Sequence, residues 1–257
     1  MNPILELKDI CMSYHSMEGE IPALSHISFI VEKGEFVALV GPSGCGKSTL
    51  LNLVSGLIAP ESGSVLLQGK PVRESDLYVG YMLQKDHLFE WRTLWQNVML
   101  GLEIQKKVTS ENKRRVQQLL ADYGLEAFRD VRPSQLSGGM RQRAALIRTL
   151  ALDPAFLLLD EPFSALDYQT RLKVADDIGT IIRRENRTAL LVTHDISEAI
   201  SMADRVIILT AGPARIQKEV PIQLSVPERT PMCSRNAPEF KRYFNEIWKE
   251  LNTDAQA

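Results

Sequence analysis

Residues 41–49 read Gly-Pro-Ser-Gly-Cys-Gly-Lys-Ser-Thr, and no other stretch restricts the fold of this chain as much. Gly41, Gly46, Lys47 and Ser48 satisfy the spacing G-x-x-x-x-G-K-S/T. An apolar, strand-like run precedes it, Phe36-Val37-Ala38-Leu39-Val40, and a helix-like run follows from Thr49 through Gly56. Strand, glycine-rich loop and helix in that order make a phosphate cradle. Glycines let backbone N–H groups turn inward with no Cβ in the way, the lysine adds a point charge, and the helix N-terminus adds its positive dipole end. On this reading Gly41, Pro42, Ser43, Gly44, Cys45, Gly46 and Lys47 surround the phosphates of a nucleotide, Ser48 holds Mg²⁺, and Thr49 meets a phosphate oxygen.

Ahead of the loop, Ile4-Leu5-Glu6-Leu7 and His26 to Val31 lie between turn residues, Glu18-Gly19 and Lys33-Gly34, and predict short β-strands. Gly63 to Lys70 predicts another strand, and Leu77 through Leu83 a further one ending at Gln84. From Thr93 to about Leu152 the period is helical, with Val116, Leu119, Leu120 and Tyr123 on one face and Lys113, Arg114 and Arg115 on the wet side. Strands return at Phe156 to Leu159, Ala189 to Val192 and Val206 to Leu209. Strands separated by helices imply a largely parallel sheet, in which ligands sit beyond the carboxyl ends of the strands. Gly41, Asp160 and His194 each follow such a strand. The segment Asn236 to Leu251 carries Phe240, Tyr243, Phe244, Ile247, Trp248 and Leu251 at helical spacing, with Pro238 and Glu239 near its start. It predicts a terminal helix docking on the core or on a partner, the core favoured, too short for a β-rich regulatory domain.

A chain of 257 residues with 44% hydrophobic content holds one large or two small domains. Its 30 basic residues nearly balance 32 acidic ones, giving −2, which argues against dedicated nucleic-acid binding. Apolar runs are about five residues long against the roughly 20 needed to span a bilayer. Met1-Asn2-Pro3-Ile4-Leu5-Glu6 has no signal-peptide plan, so a cytoplasmic location is expected. Cys11, Cys45 and Cys233 are odd in number and lack metal-ligand spacing, which suits reduced thiols. Alkylation of Cys45, inside the phosphate loop, is expected to block binding by bulk.

Asp160 and Glu161 end the apolar run that begins at Phe156. A carboxylate there suits Mg²⁺, directly or through water, and its neighbour is free to orient or deprotonate an attacking water. Leu136-Ser137-Gly138-Gly139-Met140-Arg141-Gln142 opens a helix, so a hydroxyl and bare amides point from a positive dipole end toward an anion. With these three motifs in this order, over about residues 4–215, the chain resembles the ATPase subunits of ABC transporters. Met140 stands where that family usually has Gln. The Met variant resembles the importers of nitrate, sulfonates, taurine and related organic nutrients.

The resemblance implies an α/β fold: a P-loop NTPase (RecA-like) core with an N-terminal antiparallel β subdomain and an inserted α-helical subdomain at about 86–152. The cassette would span 1–220, with a C-terminal extension over 221–257. It implies ATP and Mg²⁺, with Ser48, Gln84 and Asp160 toward the metal and Glu161, Gln84 and His194 in catalysis. Tyr14 takes the place of the aromatic that stacks on adenine, and Ser164-Ala165-Leu166-Asp167 that of the loop crossing to a partner subunit. In this family Ser137, Gly138 and Gly139 of one copy close on the phosphate loop of another, so a homodimer is implied, clamped by two ATPs and opened by hydrolysis. A separate integral-membrane permease would dock near Gln84, and the aromatic, apolar segment Asp86 to Arg92 is expected to face it, the alternative being that Phe89 and Trp91 pack the helical lobe. An extracytoplasmic substrate-binding protein would act indirectly, and the chain would lie peripherally on the cytoplasmic face of the membrane. An exporter subunit is the alternative of the same class. A soluble ABC ATPase on ribosome or DNA usually has two cassettes or a long coiled-coil insertion, and neither is present. A small-molecule kinase would leave residues 136–142 without a task. Nitrate, an alkanesulfonate, taurine and a pyrimidine-type precursor all stay open as cargo.

Overall fold

The computed structural model describes residues 3–17 and 19–253. Met1, Asn2, Glu18 and residues 254–257 lie outside them, and with them parts of the expected leader reading, the Glu18-Gly19 turn and the ends of both expected segments. In chain order the elements are β1 (Leu5–Ser16), β2 (Gly19–Val31), β3 (Phe36–Val40), α1 (Lys47–Val54), β4 (Ser62–Leu67), β5 (Lys70–Pro71), β6 (Val79–Met82), α2 (Leu94–Ile104), α3 (Ser110–Asp122) and α4 (Gly138–Leu150). There follow β7 (Phe156–Asp160), α5 (Tyr168–Arg184), β8 (Thr188–Val192), α6 (Ile196–Met202), β9 (Arg205–Leu209), β10 (Ile216–Pro221), α7 (Pro231–Arg235) and α8 (Phe240–Thr253).

Two sheets form. One is antiparallel, in the order β2-β1-β4-β5; the other runs β10-β9-β3-β8-β7-β6 and is parallel except for the edge strand β10. Strands β3 and β8 are buried at every position, as continuous apolar strands covered on both faces must be. Because successive side chains point to opposite faces, Phe36, Ala38 and Val40 join one core with Leu157, Leu159 and the helices α2 to α6. Val37 and Leu39 join a second core with Leu158, the α1 leucines and the antiparallel sheet. The parallel sheet is thus the middle layer, and the phosphate loop leaves its centre at the end of β3.

Helices α2, α3 and α4 fall between β6 and β7. Thr93, Thr109 and Ser137 cap them by accepting from Gln96, Asn112 and Met140 backbone N–H groups. Arg115, expected on the wet side, instead donates to Leu150 O at 2.5 Å and to Asp153 Oδ1 at 3.0 Å, stitching α3 to the end of α4.

Several expected boundaries shift. Strands β1 and β2 are long, at 12 and 13 residues, rather than short. The strand expected over Leu77–Leu83 is only β6, because Val79 to Met82 are the residues that face Phe156 to Leu159 on β7. Helix α1 starts at Lys47, ahead of Thr49, because Gly46 takes a left-handed φ of 106° and turns the chain into it. The terminal helix starts at Phe240, and the short α7 ahead of it was not expected. Ile247 and Tyr243 of α8 are buried in the core, while Trp248 is 56% exposed.

Candidate active site

Between β3 and α1 the loop wraps a cavity of about 270 Å³ lined by Ser43, Gly44, Gly46, Lys47, Ser48, Thr49 and Glu161. A Cβ at Gly46 would lie 2.9 Å from Ala23 O in addition to the left-handed φ, so only glycine fits. Lys47 is 7% exposed and donates through Nζ to Gly41 O at 2.8 Å and Pro42 O at 2.7 Å, folding its charge over the loop. The Tyr14 hydroxyl lies 3.0 Å from Thr49 Oγ1, which places the expected adenine-stacking ring beside the start of α1. Cys45 does not present its thiol. It is buried among the core beneath the loop, and burial pushes the thiol up, so alkylation needs the loop to open first.

Asp160 and Glu161 stand at the carboxyl end of β7. Glu161 has a φ of 43°, a left-handed conformation that for a residue with a Cβ costs on the order of 1–3 kcal/mol. The conformation is held by its N–H, which donates to Val192 O on β8 at 2.8 Å. Two side chains converge on Glu161 Oε2: Gln84 Nε2, donating at 3.2 Å from the segment after β6, and His194 Nδ1, 3.2 Å away after β8. Gln84 Nε2 also donates to Ser164 Oγ at 3.4 Å. The segments after β6 and β8 therefore each deliver one side chain to a single oxygen of the carboxylate that follows β7.

Asp160 is pushed up by burial and by the charge of Glu161 next to it, while the hydroxyl of Tyr81 donates to Oδ2 at 3.4 Å. Glu161 lines the cavity and Asp160 adjoins it, a pair of carboxylates that fits a divalent cation, which would offset both effects. Among the described residues there is no group of three or more His, Cys, Asp or Glu that could hold a metal. Mg²⁺ needs none, because it keeps water and takes phosphate oxygens. The Ser48 hydroxyl, the Asp160 carboxylate and the Gln84 amide oxygen, which the bonds above leave unused, are the hard donors that would hold it.

The turn at Ser137, Gly138 and Gly139 does not line this cavity. Ser137 Oγ accepts from Met140 N at 3.3 Å, leaving its proton free to donate. A Cβ at Gly139 would meet Val174 Cγ2 at 2.9 Å, so glycine lets α4 close on α5. Asp167 caps α5 by accepting from Thr170 N at 3.0 Å.

Two features had no reading from the sequence. Arg141 grips Asp86 through Nε at 2.9 Å and Nη2 at 3.1 Å, tying the helix behind the Ser137 turn to the segment after Gln84. Glu198, on α6, is buried. The spacing Asp195 to Glu198 matches a helix-capping pair, a signal that directs attention outward.

The sequence profile described as ABC transporter matches residues 24–164, more than half of the chain. The chain belongs to the ABC transporter ATP-binding family. Over 249 residues it is 43% identical to an uncharacterised ABC transporter ATP-binding protein, YtlC, of Bacillus subtilis, covering 97% of this chain and 96% of that one. The nitrate import ATP-binding protein NrtD of Synechocystis is 40% identical over 247 residues, covering 95% of this chain and 93% of its own. Among solved structures, the dimeric post-hydrolysis state of the ATP-binding cassette MJ0796 bound to ADP and Pi aligns with a TM-score of 0.74 at 31% identity, over 85% of this chain and 99% of that one. This ABC cassette is an ATP-binding ATPase with a P-loop NTPase core. Among the described residues no helix is long and apolar enough to cross a membrane.

Proposed function

We propose that this ATPase powers uptake of a small organic or anionic nutrient, of the nitrate, sulfonate, taurine or pyrimidine-precursor type, through a separate membrane permease. The observation that carries the site assignment is the meeting of Gln84 and His194 on Glu161 Oε2 beside the cavity over Lys47. What favours import is the Met140 signature together with the relative named for nitrate import.

In this reading the loop amides and Lys47 hold the β- and γ-phosphates, and Tyr14 stacks on the base. Glu161 takes the proton of the attacking water, and Gln84 and His194 keep that carboxylate aimed. When bound, Mg²⁺ supplies charge to the phosphate oxygens. His194 donates toward the γ-phosphate, and in a second copy of the chain Ser137, Gly138 and Gly139 close the site. Two chains thus clamp two ATPs, and loss of the γ-phosphate removes the contacts that hold them together. The permease would rest on the Asp86 to Arg92 segment, placing the dimer peripherally on the cytoplasmic side, with an extracytoplasmic binding protein selecting the cargo.

Glu161→Gln should keep ATP bound and trap a dimer, with turnover nearly abolished; size-exclusion chromatography with ATP and Mg²⁺, beside a phosphate-release assay, reads both. Full hydrolysis by that variant would move the base elsewhere. Purification of the native assembly should yield a multispanning permease and a binding protein, whose ligand names the cargo. Recovery of ribosomes or DNA instead would overturn the transport reading.

A further inference from the structure

Glu198 is 3% exposed, among the most deeply buried carboxyls of the described residues, and none of the chemistry above uses it. Its Oε2 accepts from the hydroxyl of the equally buried Thr193 at 2.7 Å. Thr193 Oγ1 in turn accepts from Asp195 N at 3.0 Å, and Thr193 N donates to Leu39 O on β3 at 3.2 Å. Thr193 and Asp195 flank His194. The hydroxyl of the residue before that histidine therefore holds the N–H of the residue after it, and one carboxylate fixes the hydroxyl.

His194 needs such support, since its side chain is 55% exposed and its ring contact, at 3.2 Å, is with Glu161. An apolar side chain would fill the Glu198 position without the desolvation that a carboxyl suffers there. Burial pushes Glu198 up to about 7; the Thr193 bond opposes this, Asp195 adds to it, and Arg171 from α5 and His194 pull it down. Arg171 also lies 3.9 Å from Asp195 Oδ2, so one arginine of α5 faces the carboxyls of both Asp195 and Glu198.

We propose that Glu198 is a positioning residue for His194, setting through Thr193 the turn that presents the imidazole to Glu161 and to the phosphate. The inference rests on the reading of His194 as a residue that acts in hydrolysis, and the test separates the two. ATPase rates of the full chain at saturating ATP and Mg²⁺ are compared for His194→Ala, Glu198→Ala, Glu198→Gln and the double variant His194→Ala/Glu198→Ala. Glu198→Ala should lower kcat at least about tenfold with KM for ATP within about twofold, and Glu198→Gln, which keeps an acceptor oxygen, should recover to within about threefold of the parent. In the His194→Ala background Glu198→Ala should cost nothing further, because the residue it serves is gone. A Glu198→Ala loss of the same factor in both backgrounds overturns the proposal while leaving the His194 role intact. Undiminished turnover in His194→Ala overturns that role and this proposal together. Should Glu198→Ala fail to fold, Thr193→Val carries the test: it should reproduce the kcat loss and Thr193→Ser should restore it, and parental kcat in Thr193→Val overturns the proposal.

Discussion

Glu161 and Glu198 are both glutamates near the carboxyl ends of parallel strands, and packing sends them opposite ways. Glu161 meets Gln84 and His194 at the open cavity, whereas Glu198 turns inward to Thr193. The inward carboxyl has a stability signature. Its folded value, about 7, lies above its ordinary 4.5, so the native state binds the proton more tightly than the unfolded chain does. The stability this brings is complete below pH 4.5 and is lost as pH rises toward 7. Glu198→Gln does not titrate, so its Tm relative to the parent should climb between pH 5 and pH 8; an unchanged difference in thermal melts at those two pH values would contradict the assignment. The position of Glu161, proposed above as the base, was legible in the sequence because Asp-Glu closing an apolar strand downstream of a phosphate loop has few other uses. Its left-handed backbone was not, since the φ of 43° goes with a bond from its N–H to Val192 on β8, a partner far away in sequence.

Helix α4 links the Ser137 turn to the segment after Gln84. Besides its two bonds to Asp86, Arg141 donates through Nη1 to Glu90 Oε1 at 2.8 Å, and Arg148 donates to Asp86 O and His87 O, both at 2.7 Å. Burial pushes Asp86 up, but the Arg141 bonds, the Leu88 N–H and the charges of Arg141 and Arg148 together hold the carboxyl below its ordinary value. The pair therefore stabilises the fold above the ordinary carboxylate range and releases that stability as pH falls through the lowered value. Arg141→Met should lower stability by about 1–3 kcal/mol, a fall of several degrees in Tm. Combining it with Asp86→Asn should cost less than the sum of the two, as a thermal-melt double-mutant cycle would read; strict additivity would mean that the pair is not coupled. The helical period placed α4, yet not its partners, because Asp86 to Glu90 has no period to read.

At the scale of the molecule, the parallel sheet was readable from continuous apolar runs, and the carboxyl ends of its strands pointed to the site. The length of β1 was hidden by shifts in its pairing with β2 after Leu7 and after Ile10, around a left-handed Asp9, which break the alternation into short pieces. On the same molecule Trp91 is 72% exposed, with its ring 4.8 Å from that of Phe89. Replacing both with Ala should spare nucleotide affinity and uncouple uptake from hydrolysis in reconstituted vesicles; unchanged assembly and uptake would rule out this face as the permease contact. The backbone of Glu161 has an evolutionary corollary. Glycine would occupy that dihedral without strain, so on the proposed role of Glu161 a lineage selected for heat resistance alone would drift toward a sturdier, inert cassette, with demand for turnover the force that keeps an acid where the backbone suits it poorly.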